Sequence, residues 1–287
     1  MSRWVKQSGS FVRLDNAAPV GVWPTPNRLT RTSSTDATRL YTSVTTNASA
    51  NTKGNWVELV SAAPAGVGMA RLFCLDTGAS GGNGNALVDL GVGAAGVESV
   101  AVANIAIGYS QNLPQPAVID IPLAVAEGAR IAVRWQSARA SATAARIAVE
   151  LYQLPGVDAP GSVDTIGADT ATSGGVSLGS TNGAWVQITA STSRAYRGVV
   201  LCPTSSDSGM SAGYVGFDLG VGGAGAEVAH LGSVTYQTTS IEELRPATGG
   251  STFIPAEIPS GSRLAVRVID SLIVNNTGYS AVLIGVP

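Results

Sequence analysis

Apolar and polar residues alternate with a period of two along much of the chain, which is typical of half-buried β-strands. Within 130–135, for example, Ile131, Val133 and Trp135 fall on one face. Turn residues separate such segments at short intervals. The pattern predicts strands at 56–60, 69–75, 86–90, 99–107, 118–123, 130–135 and 147–153, and again at 185–189, 197–202, 214–219, 228–236, 252–258, 263–269 and 280–286. The Ala-rich segment 138–148 is compatible with a helical turn, which Ser141 and Thr143 disfavour.

The chain contains an internal duplication. The segment Gly54–Leu59 (GNWVEL) returns 129 residues later (185 − 56 for its tryptophan) as GAWVQI, and DLGVG at Asp89 returns at Asp218 with the same offset. GARIAVR at Gly128 returns as GSRLAVR at Gly261, an offset of 133 (261 − 128), so a short insertion lies between the motifs. Several motifs in one order indicate a repeated unit of about 100 residues.

The repeat divides the chain into four predicted segments. These are an extended N-terminal arm (1–53), a first module (54–155), a linker (156–182) and a second module (183–287), to which the linker can contribute a first strand. Seven or eight short strands per module are typical of a β-sandwich, immunoglobulin-like or jelly-roll. The predicted fold is therefore all-β, with two tandem duplicated β-sandwich domains after the arm.

Composition excludes several classes of function. Only 13% of the residues are charged, and 17 basic residues face 19 acidic ones, so a strongly basic nucleic-acid binder is excluded. Two cysteines are too few for a disulfide-stapled scaffold. The least charged stretch, 99–119, is interrupted by polar residues and prolines, and no apolar run comes after Arg3 and Lys6. We expect a soluble protein without membrane insertion or a signal peptide.

The most distinctive motif is the Gly-rich stretch from Asp89 to Glu98 and its copy from Asp218 to Glu227. Its candidate residues are Asp89, Gly91, Gly93 and Glu98 with Asp218, Gly220, Gly222 and Glu227. A GxGxxG run cradles phosphate only between a strand and a helix, and both flanks here are β-like. A cation held by the two carboxylates stays open, although two ligands are few. We favour a structural connection that needs positive φ or close backbone approach.

No residue pattern indicates catalysis. Cys74 and Cys202 lie 128 residues apart (202 − 74), which predicts buried thiols at equivalent positions, and neither has the close partners of a zinc site. His230 is the only histidine and has no counterpart in the first module. We expect no catalytic residues, metal or cofactor, hence no enzyme. The two carboxylates of a glycosidase are defined by their distance in the folded protein, which no sequence spacing reveals. A glycan-cleaving enzyme therefore remains a third hypothesis.

The tryptophans fall into two groups. Trp56 and Trp185 occupy matched positions in the repeat, so we expect them to be anchors in the core or at an interface. The alternation around Trp135 predicts that this side chain packs in the core. Trp4, Phe11 and Trp23 lie in the arm, which is too sparse in apolar residues to bury a core of its own. We expect the arm to be ordered only against a neighbouring subunit, as the site of assembly.

The tandem pattern Trp-Val … Asp-Leu-Gly-Val-Gly-Ala … Pro … Gly-x-Arg-Ile-Ala-Val-Arg resembles modules in structural proteins of tailed bacteriophages and gene transfer agents. The resemblance covers about residues 54–287, and the low-charge composition is similar to that of phage fibre, spike and decoration proteins. It implies a virion component on head, collar or tail, with copies of itself and other virion proteins as partners. It supplies no catalytic residue. The alternative hypothesis is a carbohydrate-binding adhesin that recognises a bacterial surface glycan.

Overall fold

The structure, a computed structural model, describes residues 4–7, 10–13, 27–31, 41–76, 84–109, 117–139, 144–154, 158–179, 183–205, 213–238, 245–246, 253–269 and 278–287. All regular elements in these ranges are β-strands, so the chain is all-β as predicted.

The strands fall into an N-terminal hairpin and two larger groups. The hairpin consists of β1 (Trp4–Gln7) and β2 (Ser10–Arg13). The first group comprises β3 (Asn27–Arg31), β4 (Thr42–Thr45), β5 (Val57–Val60), β6 (Val67–Asp76), β7 (Gly84–Val92), β8 (Ser99–Tyr109), β9 (Ala117–Val125), β10 (Ile131–Ser137) and β11 (Ala144–Gln153). The second comprises β12 (Asp164–Ile166), β13 (Ala168–Asp169), β14 (Gly174–Gly179), β15 (Val186–Thr189), β16 (Tyr196–Ser205), β17 (Gly213–Val221), β18 (Val228–Thr238), β19 (Arg245–Pro246), β20 (Phe253–Ile258), β21 (Leu264–Ile269) and β22 (Tyr279–Val286).

The strand order decides between the two predicted sandwich types. In the first module one sheet runs β5-β10-β7-β8, and the other runs β11-β6-β9 with β4 on the free edge of β11. If the strands from β4 to β11 are numbered 1 to 8, the two sheets have the orders 2-7-4-5 and 1-8-3-6, with all neighbours antiparallel. This is the double Greek key of a jelly roll. The second module repeats both orders as β15-β21-β17-β18 and β14-β22-β16-β20. The molecule is a tandem pair of jelly-roll sandwiches.

The duplication extends upstream of the motifs that revealed it. β3 and β4 both pair with β11, and β12 and β14 pair in the same two places with β22. The predicted boundaries are corrected accordingly: part of the arm (27–31 and 41–53) belongs to the first module, and most of the linker belongs to the second. The physical reason is that the last strand of each sandwich would otherwise present an open edge of unpaired N–H and C=O groups.

The predicted strands are confirmed, each to within a few residues of its bounds. The helical turn considered for 138–148 is wrong over 144–148, because Ala144–Gln153 forms β11, and 140–143 lie outside the described residues. This strand lies between β6 on one side and β3 and β4 on the other, and pairing along both edges outweighs the modest helix propensity of alanine.

The two cores fill the same space with different side chains. Trp135 of the first module is fully buried and pairs across strands with Val88. In the second module the equivalent position holds the smaller Val268, which pairs with Phe217. Phe217 makes edge-on contacts with Tyr236 and Tyr279, with 5.6 Å between ring centroids in each case. The largest core side chains therefore lie on different strands in the two modules.

The outer face of one sheet of the second module packs into the apolar cluster that contains the first module's core. Val199 and Leu201 on β16 face the interior of the second sandwich, whereas Val200 and Cys202, on the opposite face, join the cluster that contains the first module's core. On β22, Val282, Ile284 and Val286 do the same. All eight residues of β22 are buried, because its sheet is covered on both faces.

The two cysteines are free and buried, as the sequence predicts, but they are not equivalent. Ala70 pairs with Ile121 and Val199 pairs with Ile254, so the register offset here is 129, and Cys202 aligns with Phe73 rather than Cys74. Cys74 faces its own sandwich interior, while Cys202 faces the other module. Burial raises the pKa of both thiols, that of Cys202 to about 12.

Two N-terminal truncations test the corrected boundary. Among the described strands, deleting residues 1–26 removes only β1 and β2, which pair with each other and with neither module, so the free energy of unfolding in urea is expected to stay within about 0.5 kcal/mol of the full chain. Deleting 1–45 removes β3, β4 and buried Val44, whose carbonyl accepts a hydrogen bond from Trp135 Nε1 at 2.8 Å. We expect this variant to lose more than about 2 kcal/mol. Equal stability of the two truncations would contradict the assignment of β3 and β4 to the first sandwich.

Candidate functional site

The first aspartate of the Gly-rich motif is a buried ion-pair partner on the outer face of the first module. Asp89 on β7 is only 3% exposed and lies directly across from Arg134 on β10. Arg134 Nε donates to Asp89 Oδ2 at 2.9 Å, and Lys53 Nζ donates to Oδ1 at 2.8 Å. Burial lowers the pKa of Lys53, against the opposing effect of the carboxylate. Two cations of the chain itself thus neutralise this carboxylate.

A β-bulge supplies a further hydrogen bond to Asp89. The pairing of β7 with β8 shifts register opposite this residue, and the bulged Asn104 donates its backbone N–H to Asp89 Oδ1 at 2.8 Å. Asn104 has a φ of 52°, in the left-handed region that non-glycine residues rarely occupy. β17 and β18 also shift register opposite Asp218, where three residues of β18 face the aspartate instead of the two residues of β8 that face Asp89. The bulge therefore belongs to the duplicated motif, and the carboxylate satisfies a backbone donor that the bulge removes from the ladder.

Each module stacks a tryptophan on this ion pair. The Arg134 guanidinium carbon lies 4.5 Å from the ring centroid of half-buried Trp56, and a Cβ on Gly91 would come within 2.7 Å of that ring. In the second module Arg267 lies 4.4 Å from the centroid of Trp185, and a Cβ on Gly220 would again come within 2.7 Å. The glycine is thus required by close approach of the indole, and the arginine adds a cation–π contact.

The second module reproduces the ion pair with one cation fewer among its described residues. Asp218 is 5% exposed, and Arg267 donates to its Oδ2 from Nε at 2.9 Å and from Nη2 at 2.7 Å. The position equivalent to Lys53 by the repeat offset is Asn182, which lies outside the described residues. We call the two sets Trp56–Gly91–Asp89–Arg134 and Trp185–Gly220–Asp218–Arg267 the tryptophan–arginine clusters.

The rest of the motif is a tight turn between two strands. Gly93 and Gly222 have φ values of 128° and 135°, and Gly96 and Gly225 have values of 82° and 77°. The N–H of Gly93 donates to Arg130 O at 3.1 Å, which ties the turn to β10. Positive φ at both glycines of each turn accounts for this part of the motif, as the structural interpretation predicts.

The glutamate that ends each turn is held by a second arginine. Arg130 donates to Glu98 through Nη1 and to Glu58 Oε2 at 2.6 Å through Nε. In the copy Arg263 donates to Glu227 and, at 2.8 Å, to Gln187 Oε1. Hydrogen bonds from its own backbone N–H and from Arg263 lower the pKa of Glu227, against the opposing effect of burial.

These contacts assign a role to all eight predicted motif residues. The carboxylates face arginines, the glycines shape the turn or admit the indole, and the turn leads from strand to strand without a helix. Within the described residues no group of three or more His, Cys, Asp or Glu side chains is placed to hold a metal ion. Sequence reasoning missed the partners Lys53, Arg130 and Arg134, although both arginines recur in the repeated GxRxAVR segment.

The side chains of the remaining predicted residues lie outside the described part of the structure. Trp4 and Phe11 lie on β1 and β2, paired in register with Arg13 and Lys6, and their side chains are outside the description. Trp23 lies outside the described residues. His230 is placed only by its backbone, which pairs with Leu219. The assembly role of the aromatic residues stays a prediction.

Comparisons with known proteins add little to this picture. No protein-family model matches the chain, and no curated protein matches it. Among solved structures, the N-terminal CBM22-1–CBM22-2 tandem domain of Paenibacillus barcinonensis Xyn10C matches with 12% identity over 92% of this chain and 99% of that chain, at a TM-score of 0.30. At that score the likeness carries no argument about function. Within the described ranges, no helix is long and apolar enough to span a membrane.

Adding a methyl group under the indole tests the tryptophan–arginine cluster. In Gly220→Ala the new Cβ would lie 2.7 Å from Trp185, so the ring must move and the stack with Arg267 is lost. We expect a loss of about 1–3 kcal/mol in the free energy of unfolding, measured in urea. Gly223→Ala is the matched control, because a Cβ there meets nothing within 4 Å. Equal stability of the two variants would show that the indole does not rest on Gly220.

Acid titration tests the turn glutamate. Because the pKa of Glu227 is lowered in the folded protein, its contribution to stability is present above the ordinary value of 4.5 and is lost as the pH falls below that value. We expect Glu227→Gln to flatten the fall in unfolding free energy between about pH 5 and pH 3, measured by urea denaturation. Glu127→Gln, at an exposed position, is the control and should leave the slope unchanged. A wild-type slope in Glu227→Gln would contradict the ion pair with Arg263.

Proposed function

We propose that this chain is a non-catalytic structural subunit of a phage-type particle, an appendage or decoration protein that attaches through residues 1–26. The observation that carries the proposal is the sheet topology: both sandwiches complete their own sheets, while the hairpin β1–β2 pairs only with itself among the described strands. A segment outside both modules is free to serve a partner.

The electrostatics of the modules support a scaffold role. The carboxylates of the polar motif that stood out in the sequence lie on the outer sheet faces, and each is paired with an arginine in both copies. Such duplicated ion pairs hold neighbouring strands of the sheet together, and they leave these carboxylates paired instead of available for chemistry at the surface. With only 13% charged residues, copies can approach one another without strong repulsion.

The jelly-roll architecture fits this proposal by analogy. Viral capsid domains and lectin domains both use this architecture, so the fold supports a virion role and a glycan-binding role equally. The resemblance of the repeated motif to phage structural modules favours the former.

Incorporation into particles tests the attachment. Tagged full-length chain and the 1–26 truncation are each expressed alongside the other particle proteins, and their occupancy in purified particles is measured by quantitative mass spectrometry. We expect the truncation to fold and to fall at least about tenfold in occupancy, because the lost contact area belongs to residues 1–26. The Gly223→Ala variant controls for expression. Full occupancy of the truncation would place attachment on the modules and refute the proposal.

A glycan-binding adhesin is the second candidate, and the tryptophan–arginine clusters favour it. Trp56 and Trp185 are half-buried at matched positions on outward sheet faces, beside the exposed polar side chains Glu58 and Gln187. An indole offers a flat apolar face for a sugar ring. Binding on a glycan array that disappears in a Trp56→Ala, Trp185→Ala variant would support this candidate.

A further inference from the structure

An open cleft of about 580 Å³ lies where the two modules meet. One wall is β8 of the first module from Val100 to Asn104, and the other is formed by β12 and β13 with Ser193 of the second module. Its volume falls in the range of about 300–1,000 Å³ that is usual for small-molecule sites. Neither the predicted motif nor the tryptophan–arginine clusters use this space.

The walls of the cleft are fixed relative to each other. Thr165 on β12 donates its hydroxyl to the backbone carbonyl of Ala103 on β8, and the N–H of Ala124 donates to Pro160 O at 2.9 Å. Val163, at the base, is 9% exposed and belongs to the apolar cluster shared by the modules. The cleft is therefore built by the junction and needs no rearrangement to exist.

The charge in the cleft is neutralised internally. Asp164 accepts from Arg194 at 2.7 and 3.1 Å, from Tyr196 at 2.7 Å and from Ser193 at 3.3 Å. Burial opposes ionisation of this carboxyl, but the hydrogen bonds from Arg194 and Tyr196 lower its pKa. A ligand would meet no unpaired charge among the described lining residues, which disfavours both anions and metal ions and suits a neutral molecule.

One polar group in the cleft is uncommitted. The carboxamide of half-buried Asn104 makes no hydrogen bond to a described residue, although its backbone N–H is held by Asp89. The φ of 52° lies in the left-handed region, which asparagine adopts more readily than other non-glycine residues.

We propose that the module junction binds a saccharide residue, with the Asn104 carboxamide as its principal polar contact. Its amide offers both a donor and an acceptor to sugar hydroxyl groups. Val100 is 45% exposed and, with Ala101 and Ala168, gives an apolar surface for the C–H face of the ring. This site adjoins the first tryptophan–arginine cluster, because the Asn104 N–H donates to Asp89, and it does not depend on the particle role proposed above.

The test uses the full chain and a panel of neutral oligosaccharides of glucose, galactose, xylose and N-acetylglucosamine. Binding is measured by saturation-transfer NMR, and dissociation constants by titration of backbone amide shifts. Asn104→Gly removes the carboxamide at a backbone position that glycine tolerates, and Asn55→Gly, at an exposed position outside the cleft, is its control. Asn104→Asp retains an acceptor in case the glycine variant disturbs the bulge.

We expect at least one saccharide of the panel to bind, with shifts at 100–104 and 163–168. Affinity should fall at least about tenfold in Asn104→Gly, fall less in Asn104→Asp and stay unchanged in Asn55→Gly. Absence of binding by the whole panel would overturn the proposal, and so would binding that Asn104→Gly leaves intact. Binding lost only in the Trp56→Ala, Trp185→Ala variant would place the glycan on the tryptophan–arginine clusters instead. If the 1–26 truncation fails to attach to particles but still binds sugar, the attachment proposal and the saccharide proposal are shown to be independent.

Discussion

The burial of one sheet on both faces governs the architecture of this protein. β16 and β22 direct alternate side chains into their own sandwich and toward the first module, so Val200, Cys202 and Ile284 join the apolar cluster that contains the first module's core. Burial of apolar area is the dominant favourable term in folding, and here it also fixes the relation between the modules. The polar contacts of the junction, including those of Gln136 with Thr170 and Ser173, lie at the border of this apolar contact.

The same constraint explains why the junction carries backbone strain. The three non-glycine residues with positive φ in the described ranges are Asn51, Asn104 and Ser173. Ser173 donates to Asn51 Oδ1 at 2.7 Å, and Gln136 donates to Ser173 Oγ at 3.0 Å, which links the segment before β5 to the second module. Strained conformations persist where surrounding contacts over-determine them. A junction closed by a shared core supplies such contacts, and Asn104 lies at the edge of the cleft that results.

The duplicated ion pairs serve a different purpose, because they act within a module. Aspartate, arginine, tryptophan and glycine keep their relation in both copies, while the core side chains beneath them have been redistributed between strands. An apolar core tolerates exchange of volume between neighbours, whereas a buried carboxylate tolerates no loss of its partner. This asymmetry accounts for the survival of the motif in the sequence and for the divergence of Trp135 and Val268.

The sequence by itself determined the features that depend on local pattern. Alternation with a period of two located the strands, and the 129-residue offset located the duplication and paired Trp56 with Trp185 and Asp89 with Asp218. Only the tertiary structure decided which strands are neighbours, because pairing joins residues far apart in the chain: β3 and β4 with β11, and Arg134 with Asp89. The two-sided burial of β22 and the cleft beside Asn104 likewise exist only once the modules meet, since each side chain involved is an ordinary strand residue until the second surface covers it.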